Sequence, residues 1–340
     1  MGSADRALQV NRYRMRRTRR ALSTLATISC FCAVALLATA AWSHPPDNDH
    51  THMAKQDSGT KHGSLSDVGA KLNDPTSNIW ALQFQFNPVS WYDGDLNKGD
   101  AKVGSSVTFQ PIMPFPLYGE GDDQWKLITR PVLPIIFSTP VPTGFNTFHN
   151  KGGLGDLTLP TMVNPAANLL PAAPGGGSWI FGLGPTWYFP TATNKTFGTQ
   201  QYGVGPALVL GYKNKNFTAV TLTEYWYGIG QRSGRKTSGA LSQMDLLYAL
   251  IFSLPDAWQI GTNPTVSYNH RATHGNRWSV PIGIFAGKTI KIGPEPINIR
   301  LGLSYSAVSA DDFGNRASIV VQVTPVIPGL VSSPIFGGAK

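Results

Sequence analysis

Between residues 79 and 324 the chain falls into about twelve stretches that alternate a large apolar side chain with a small or polar one. The clearest runs from Trp258 to Asn269. Successive side chains on a strand point to opposite faces. One face here therefore carries Trp258, Ile260, Thr262, Pro264, Val266 and Tyr268, and the other Gln259, Gly261, Asn263, Thr265, Ser267 and Asn269. With the apolar face turned outward, this is a strand with lipid on one side and water on the other. The pattern predicts an all-β fold, a transmembrane antiparallel up-and-down β-barrel of about 12 strands.

The barrel pattern starts well downstream of an export signal. Arg12, Arg14, Arg16, Arg17, Arg19 and Arg20 precede an apolar run from Ala21 to Ala41, and Ala38-Thr39-Ala40 supplies a small-x-small cleavage site. Basic, apolar and small-residue regions in this order read as a secretory signal peptide, 1–40, cut after Ala40. The run approaches the roughly 20 residues of a spanning anchor, but the cleavage site and the scattered Ser and Thr favour removal. Cys30 follows Thr27-Ile28-Ser29 rather than a Leu-led lipobox, which excludes a lipoprotein.

Removing that segment takes seven Arg and one Asp with it, and the formal charge falls from +9 to +3. The basic balance thus belongs to the signal and gives no support to nucleic-acid binding. Both cysteines leave as well, excluding a disulfide scaffold or a Cys nucleophile. No later apolar run reaches about 18 residues, so a bundle of membrane helices is excluded.

Residues 41–78 form a polar leader holding His44, His50, His52 and His62, whose irregular spacing fits a solvated segment better than a metal tail. Leu65, Val68 and Leu72 would share one face of a short helix capped by Ser64 or Ser66 and ended by Pro75. Segment 64–78, just ahead of the first strand, is a candidate plug. The barrel is expected over 79–325, with strands near 79–87, 105–114, 125–138, 153–163, 178–190, 202–213, 217–229, 241–254, 258–270, 277–288, 296–308 and 316–325. A tail, 326–340, follows. Short connections at 213–216, 255–257 and 288–295 alternate with longer ones at 229–240, 270–276 and 309–315, the expected asymmetry of periplasmic turns and outer loops. The long connection at 164–177 breaks that rule.

Charges set the phase, because Arg facing lipid at mid-bilayer costs about 2–4 kcal/mol. Arg130, Asp156, Asp245 and Arg300 all fall opposite apolar neighbours and so face the lumen. The predicted lumen lining is Gln83, Gln85, Arg130, Asp156, Thr186, Gln243, Asp245, Gln259, Asn263, Asn269, Asn298, Arg300 and Gln322. Glycines 182, 184, 203, 205, 211, 261, 283 and 302 share that face and are expected to leave room. Glu224 fits poorly, since its strand has no clean apolar face, and a bulge is expected there. Pro111, Pro131, Pro134, Pro160, Pro185, Pro206, Pro264 and Pro281 lie within predicted strands and imply bulges. A sharper expectation is that Pro185 and Pro206 weaken the wall enough to open it sideways to lipid.

Several segments resemble the bacterial outer-membrane transporter family of the phenol meta-degradation pathway type, also called neuromedin U-like. They are Ala70-Lys71-Leu72-Asn73-Asp74-Pro75 through Leu82-Gln83-Phe84-Gln85-Phe86-Asn87, Trp125-Lys126-Leu127-Ile128-Thr129-Arg130-Pro131, Gly153-Leu154-Gly155-Asp156, Gly182-Leu183-Gly184-Pro185-Thr186, Gly203-Val204-Gly205-Pro206-Ala207, Lys213-Asn214-Lys215-Asn216-Phe217, Trp278-Ser279-Val280-Pro281-Ile282-Gly283 and Lys291-Ile292-Gly293. They span nearly all of the chain after the signal. Family members tend to close on an aromatic-rich strand, whereas here Val323-Thr324-Pro325-Val326 leads to a tail with Phe336 as its one aromatic residue.

The resemblance implies a bacterial outer-membrane channel or facilitator for passive uptake of small neutral, aromatic or apolar molecules. A mixed-sign, amide-rich lining suits such solutes better than a single-sign ion ladder would. The alternatives are a structural or surface-interaction barrel with a closed lumen, and an outer-membrane lipid hydrolase using His270 and His274 with Ser233 or Ser279 on the rim. No nucleotide, haem or metal motif stands out, so neither cofactor nor enzyme activity is expected. Expected partners are membrane lipid and lipopolysaccharide, a small-molecule solute, and periplasmic chaperones with the barrel-assembly machinery, but no nucleic acid.

Overall fold

The computed structural model describes residues 64–97, 99–232, 241–327, 331 and 333–336. The signal segment with its cut after Ala40, and the histidines of the leader, lie outside these residues.

Seventeen antiparallel strand segments form one sheet, and they join into twelve passes of the chain. Four of the first passes are each interrupted once: β1 (Trp80–Ala81) with β2 (Phe84–Asp93), β3 (Lys102–Phe109) with β4 (Met113–Tyr118), β5 (Trp125–Thr129) with β6 (Leu133–Gly144), and β7 (Thr147–Leu154) with β8 (Leu157–Asn164). Then come β9 (Ser178–Phe189), β10 (Gln201–Lys213), β11 (Phe217–Gln231) and β12 (Ser242–Ser253). The ninth pass is β13 (Trp258–Thr262) with β14 (Thr265–Asn269), followed by β15 (Trp278–Ile292), β16 (Glu295–Val308) and β17 (Gly314–Ile327). Each pass pairs with the next, and β17 pairs with both β1 and β2, so the sheet closes on itself. Closure satisfies the backbone of every pass and leaves no edge, the one way a sheet can cross lipid. Twelve passes lie where the alternation placed them, most of them longer at one or both ends.

The outer surface shows what closure does with the apolar face. Leu183, Leu210, Ile284, Leu301 and Leu303 are exposed at mid-wall, the last two at 62%. Exposed aromatic residues flank them at each end of the passes: Trp179, Phe252 and Trp258 toward the floor, and Trp187, Tyr202, Tyr227, Trp278 and Tyr305 toward the opposite rim. An apolar band between two aromatic girdles is the lipid-facing signature of a transmembrane barrel. Among the described residues no helix is long and apolar enough to cross a membrane.

Prolines explain several interruptions. Pro111 and Pro131 sit in the breaks of the second and third passes, and Pro264 in that of the ninth. β3–β6 and β4–β5 keep one register on either side, yet residues 110–112 and 130–132 between them are unpaired with each other. Proline has no N–H to donate to the ladder. Pro185 and Pro206 behave otherwise. They face each other as partners inside an unbroken β9–β10 ladder from Gly203 to Lys213, but on their outer sides the β8–β9 ladder lapses at Gly184 and Pro185 and the β10–β11 ladder at Gly205 and Pro206, so the pairing expected to be weak around them is weak on two seams. Glu224 is also regularly paired, with Ala207 and Asp245, and the bulge of its strand lies further on, opposite Tyr202 and Gly203.

Gly283 and Gly302 line the upper cavity, but others of the set do not leave room. A Cβ at Gly184 would meet the Thr161 carbonyl oxygen at 2.0 Å, and one at Gly205 the Tyr225 carbonyl oxygen at 1.8 Å. Glycine is used here to let neighbouring backbones close in where the wall bends. The long floor connection, 165–177, is a flange: Asn168 bonds Asp123, and the Tyr212 hydroxyl donates to the Pro174 carbonyl at 2.8 Å. The tail also reaches the wall, as the N–H groups of Ile335 and Phe336 donate to the carbonyls of Pro116 and Leu117 at 3.0 and 2.7 Å.

Gly205→Val should therefore cost about 3 kcal/mol and reduce the heat-modifiable folded band on a gel. Leu301→Arg, which leaves packing inside the barrel untouched, should cost about 2–4 kcal/mol in urea titrations of vesicle-inserted protein.

Candidate functional site: a two-chamber lumen

The floor of the lumen is built first. Helix α1 (Leu65–Leu72) is opened by a capping box, with the Asp67 N–H donating to Ser64 Oγ at 3.2 Å and the Ser64 N–H to Asp67 Oδ2 at 3.1 Å. Its buried side presents Val68 and Gly69. Gly69 is needed for the close approach, because a Cβ there would lie 2.9 Å from Thr289 Oγ1. Gln259 Nε2 donates to the Gly69 carbonyl at 2.9 Å. Segment 64–78 thus does sit inside the barrel as a plug.

Arg300 ties this plug to the wall. Its Nη2 donates to Asn73 Oδ1 at 2.6 Å and to Gln259 Oε1 at 3.1 Å, while its Nε donates to Asn298 Oδ1 at 3.0 Å. Asn298 Nδ2 donates in turn to Thr289 Oγ1 at 3.0 Å, and the guanidinium lies 4.6 Å over the Phe285 ring. Arg300 is 6% exposed and Asn298 0%. Two further links hold the chain after the helix: an ion pair between Lys213 and Asp74, and Lys126 Nζ donating to the Thr76 carbonyl at 2.8 Å.

Above the plug are two adjoining cavities. The lower, about 90 Å³, is walled by Ile128, Met162, Val209, Leu222, Ala249 and Ile251, with Asn73 and Arg300 at its base. The upper, about 380 Å³, is lined by polar groups including Gln85, Gln110, Asp245 and Ser304. Gln83, Arg130, Leu247 and Asn263 line both. Arg130 Nη2 donates to Gln110 Oε1 at 2.7 Å, so this guanidinium stands at the junction.

Most residues expected in the lumen turn inward. Gln83, Gln85, Arg130, Asp245 and Asn263 line the cavities, and Gln243 Nε2 donates to Asp245 Oδ1 at 3.0 Å. Gln259, Asn298 and Arg300 form the floor knot. Thr186 and Gln322 are buried within the wall's inner layer: Thr186 Oγ1 donates to Glu224 Oε1 at 2.8 Å and accepts from Trp226 Nε1 at 3.0 Å, and Gln322 Nε2 donates to Thr324 Oγ1 at 3.2 Å. The remaining two sit at strand ends, where loops take them up. Asp156 is taken up by the loop after β9, accepting from the N–H groups of Ala192 and Thr199 at 3.0 and 2.6 Å. Asn269 is exposed and caps the turn after β14, accepting from the N–H groups of Arg271 and Ala272. A short polar side chain next to a loop is recruited by loose backbone N–H groups, and alternation is blind to that.

The larger surprise is the apolar lower wall. In β10–β12 both faces are apolar, so Val209, Val220, Leu222, Ala249 and Ile251 are buried inward while Leu210, Leu250 and Phe252 face out. This also resolves Glu224: it points inward among apolar neighbours, held by Thr186. The signal was present in the unbroken run Leu246-Leu247-Tyr248-Ala249-Leu250-Ile251-Phe252, which reads as a strand buried on both sides. His270 packs edge-on against Tyr268 and Tyr225, with ring centroids 4.5 and 5.7 Å away, whereas Ser279 lines the upper cavity. Ser233 lies outside the described residues.

No protein-family model and no curated protein matches the chain. Among solved structures it is similar to an outer membrane channel from Pseudomonas putida F1, at 14% identity over 73% of this chain and 93% of that one, with a TM-score of 0.46. It is also similar to a BenF-like porin from Pseudomonas fluorescens Pf-5, at 8% identity over 74% of this chain and 97% of that one, with a TM-score of 0.20.

Gln259→Ala strips a partner from Gly69, Asn298 and Arg300 together. It should cost about 1–3 kcal/mol in urea unfolding, more than Gln243→Ala, whose one bond is to Asp245.

Proposed function

We propose that the chain is a bacterial outer-membrane channel that passes small, weakly polar or apolar molecules passively, of the type its sequence resembles. The observation that carries this reading is the stacked pair of cavities inside a closed wall, polar toward the outer rim and apolar above the plug. A solute desolvates in steps along such a path, exchanging water first for amides and then for aliphatic walls. The plug rests on a few polar bonds rather than on a large apolar contact, so it is the element that moves. The twelve-pass wall is intermediate between barrels filled by side chains and the wide porins of 16–18 strands. The alternative, a structural barrel with a permanently sealed lumen, is favoured by one feature, the buried hydrogen-bond knot around Arg300.

A disulfide across the plug separates the two. An ideal Cβ on Gly69 lies 3.8 Å from Thr289 Cβ, the mean Cβ separation of a disulfide, about 3.8 Å. In planar bilayers, the Gly69→Cys/Thr289→Cys protein should lose conductance when oxidised and regain it on reduction. A protein that passes neither ions nor uncharged solutes in either state, as wild type or variant, would be the sealed barrel.

A further inference from the structure

The lower cavity has a guanidinium at each end and, among the described residues, no acidic side chain in its lining. Every hydrogen bond of Arg300 goes to a neutral amide oxygen, of Asn73, Gln259 or Asn298. The C-terminal end of α1 adds a partial negative charge of at most about half a unit. At the other end of the same cavity Arg130 bonds the amide of Gln110. Between the two guanidiniums the lining is aliphatic, and no Asp or Glu contributes to it. Asp245 belongs to the upper cavity and is bonded by Gln243. Glu224 lines neither cavity and accepts from Thr186 Oγ1, but it lies near enough to Arg130 to act on its charge, so Arg130 has an acidic neighbour behind the wall and Arg300 has none. A guanidinium withdrawn from water is costly unless an anion meets it. Arg300, buried with only amides around it, and Arg130, open to the junction above an aliphatic wall, define a site for a molecule that brings a single negative charge on an apolar body.

We propose that the lower cavity binds small monocarboxylates with a compact hydrocarbon part. The carboxylate sits on the Arg130 guanidinium at the junction, where the upper cavity keeps it partly hydrated. The hydrocarbon fills the space between Ile128, Met162, Leu222 and Ile251, and the Arg300 charge beneath draws the molecule down. Arg presents a planar fork that a carboxylate accepts in two parallel bonds. A cavity of about 90 Å³ selects for a branched or cyclic body of few carbons over a long chain. This inference rests on the channel reading and narrows its solute class.

Isothermal titration of the full detergent-solubilised protein tests it with one skeleton in three charge states: 3-methylbutanoate, 3-methylbutanol and 3-methylbutylamine, with acetate as an anion lacking the body. The carboxylate should bind at least tenfold more tightly than the alcohol, acetate or the amine. Arg130→Gln should weaken the carboxylate tenfold or more and the alcohol less than twofold, with the heat-modifiable band retained. Ala249→Phe, which fills the cavity and keeps both arginines, should weaken carboxylate and alcohol alike. Equal affinity for acid and alcohol, preference for the amine, tight acetate binding, or a carboxylate preference that survives Arg130→Gln would each overturn the proposal, as would no binding at all. Liposome swelling with the alcohol judges the channel reading separately: passage without carboxylate preference sinks only the inference, and no passage sinks the channel.

Discussion

The rest of the structure depends on one requirement of the bilayer, that a backbone amide inside it must find a partner within the protein. A chain whose alternation is too short-period for helices meets that requirement by closing its sheet. Closure pairs the last pass with the first, and it also forces the wall to bend. The bending is concentrated where Gly184 and Gly205 let a neighbouring carbonyl approach to a distance no Cβ would allow. Proline is tolerated where its missing donor falls in a break of the pass, as at Pro111 and Pro131, or where the ladder beside it lapses, as at Pro185 and Pro206. The sequence rich in Gly and Pro that looks hostile to a sheet is therefore matched to a strongly curved one.

Inside, the same closure creates a space whose chemistry differs with depth. Near the rim the inward positions are Gln, Asn, Ser and Asp. Near the floor, β10–β12 turn aliphatic side chains inward, and a short capped helix covers the base. What holds that helix is polar: one buried arginine, three amides, a threonine, and two lysine contacts beyond it. Such a knot is strong while complete and weak once a member is drawn away. In the proposed channel the plug leaves this place to open the path, and a polar knot releases it more readily than a broad apolar contact would. A plug fixed by a broad apolar surface would leave a large hydrophobic patch behind on moving.

The legibility of the fold came from Trp258–Asn269 and strands like it, where one face is apolar and the other is not. Arg130, Asp245 and Arg300 were legible as interior because their position relative to apolar neighbours leaves no affordable alternative in lipid. Asp156 and Asn269 line neither cavity, because a residue at the end of a strand is taken up by the nearest loop. Val209, Leu222 and Ile251 were missed because alternation between two apolar sets carries no phase. Glu224 looked anomalous for the same reason, its apolar companions being inward rather than absent.

The sequence by itself determined the class of solution: period-two patterning, a dozen repeats of it and the aversion of charge to lipid leave a closed transmembrane sheet as the architecture. Tertiary structure alone decided what the enclosed space is. Which apolar face turns inward, which amides meet Arg300, and whether a glycine means room or close approach depend on contacts between parts of the chain as much as 227 residues apart. No local pattern encodes those distances, because they arise only when the sheet closes and curvature brings opposite walls within reach of one another.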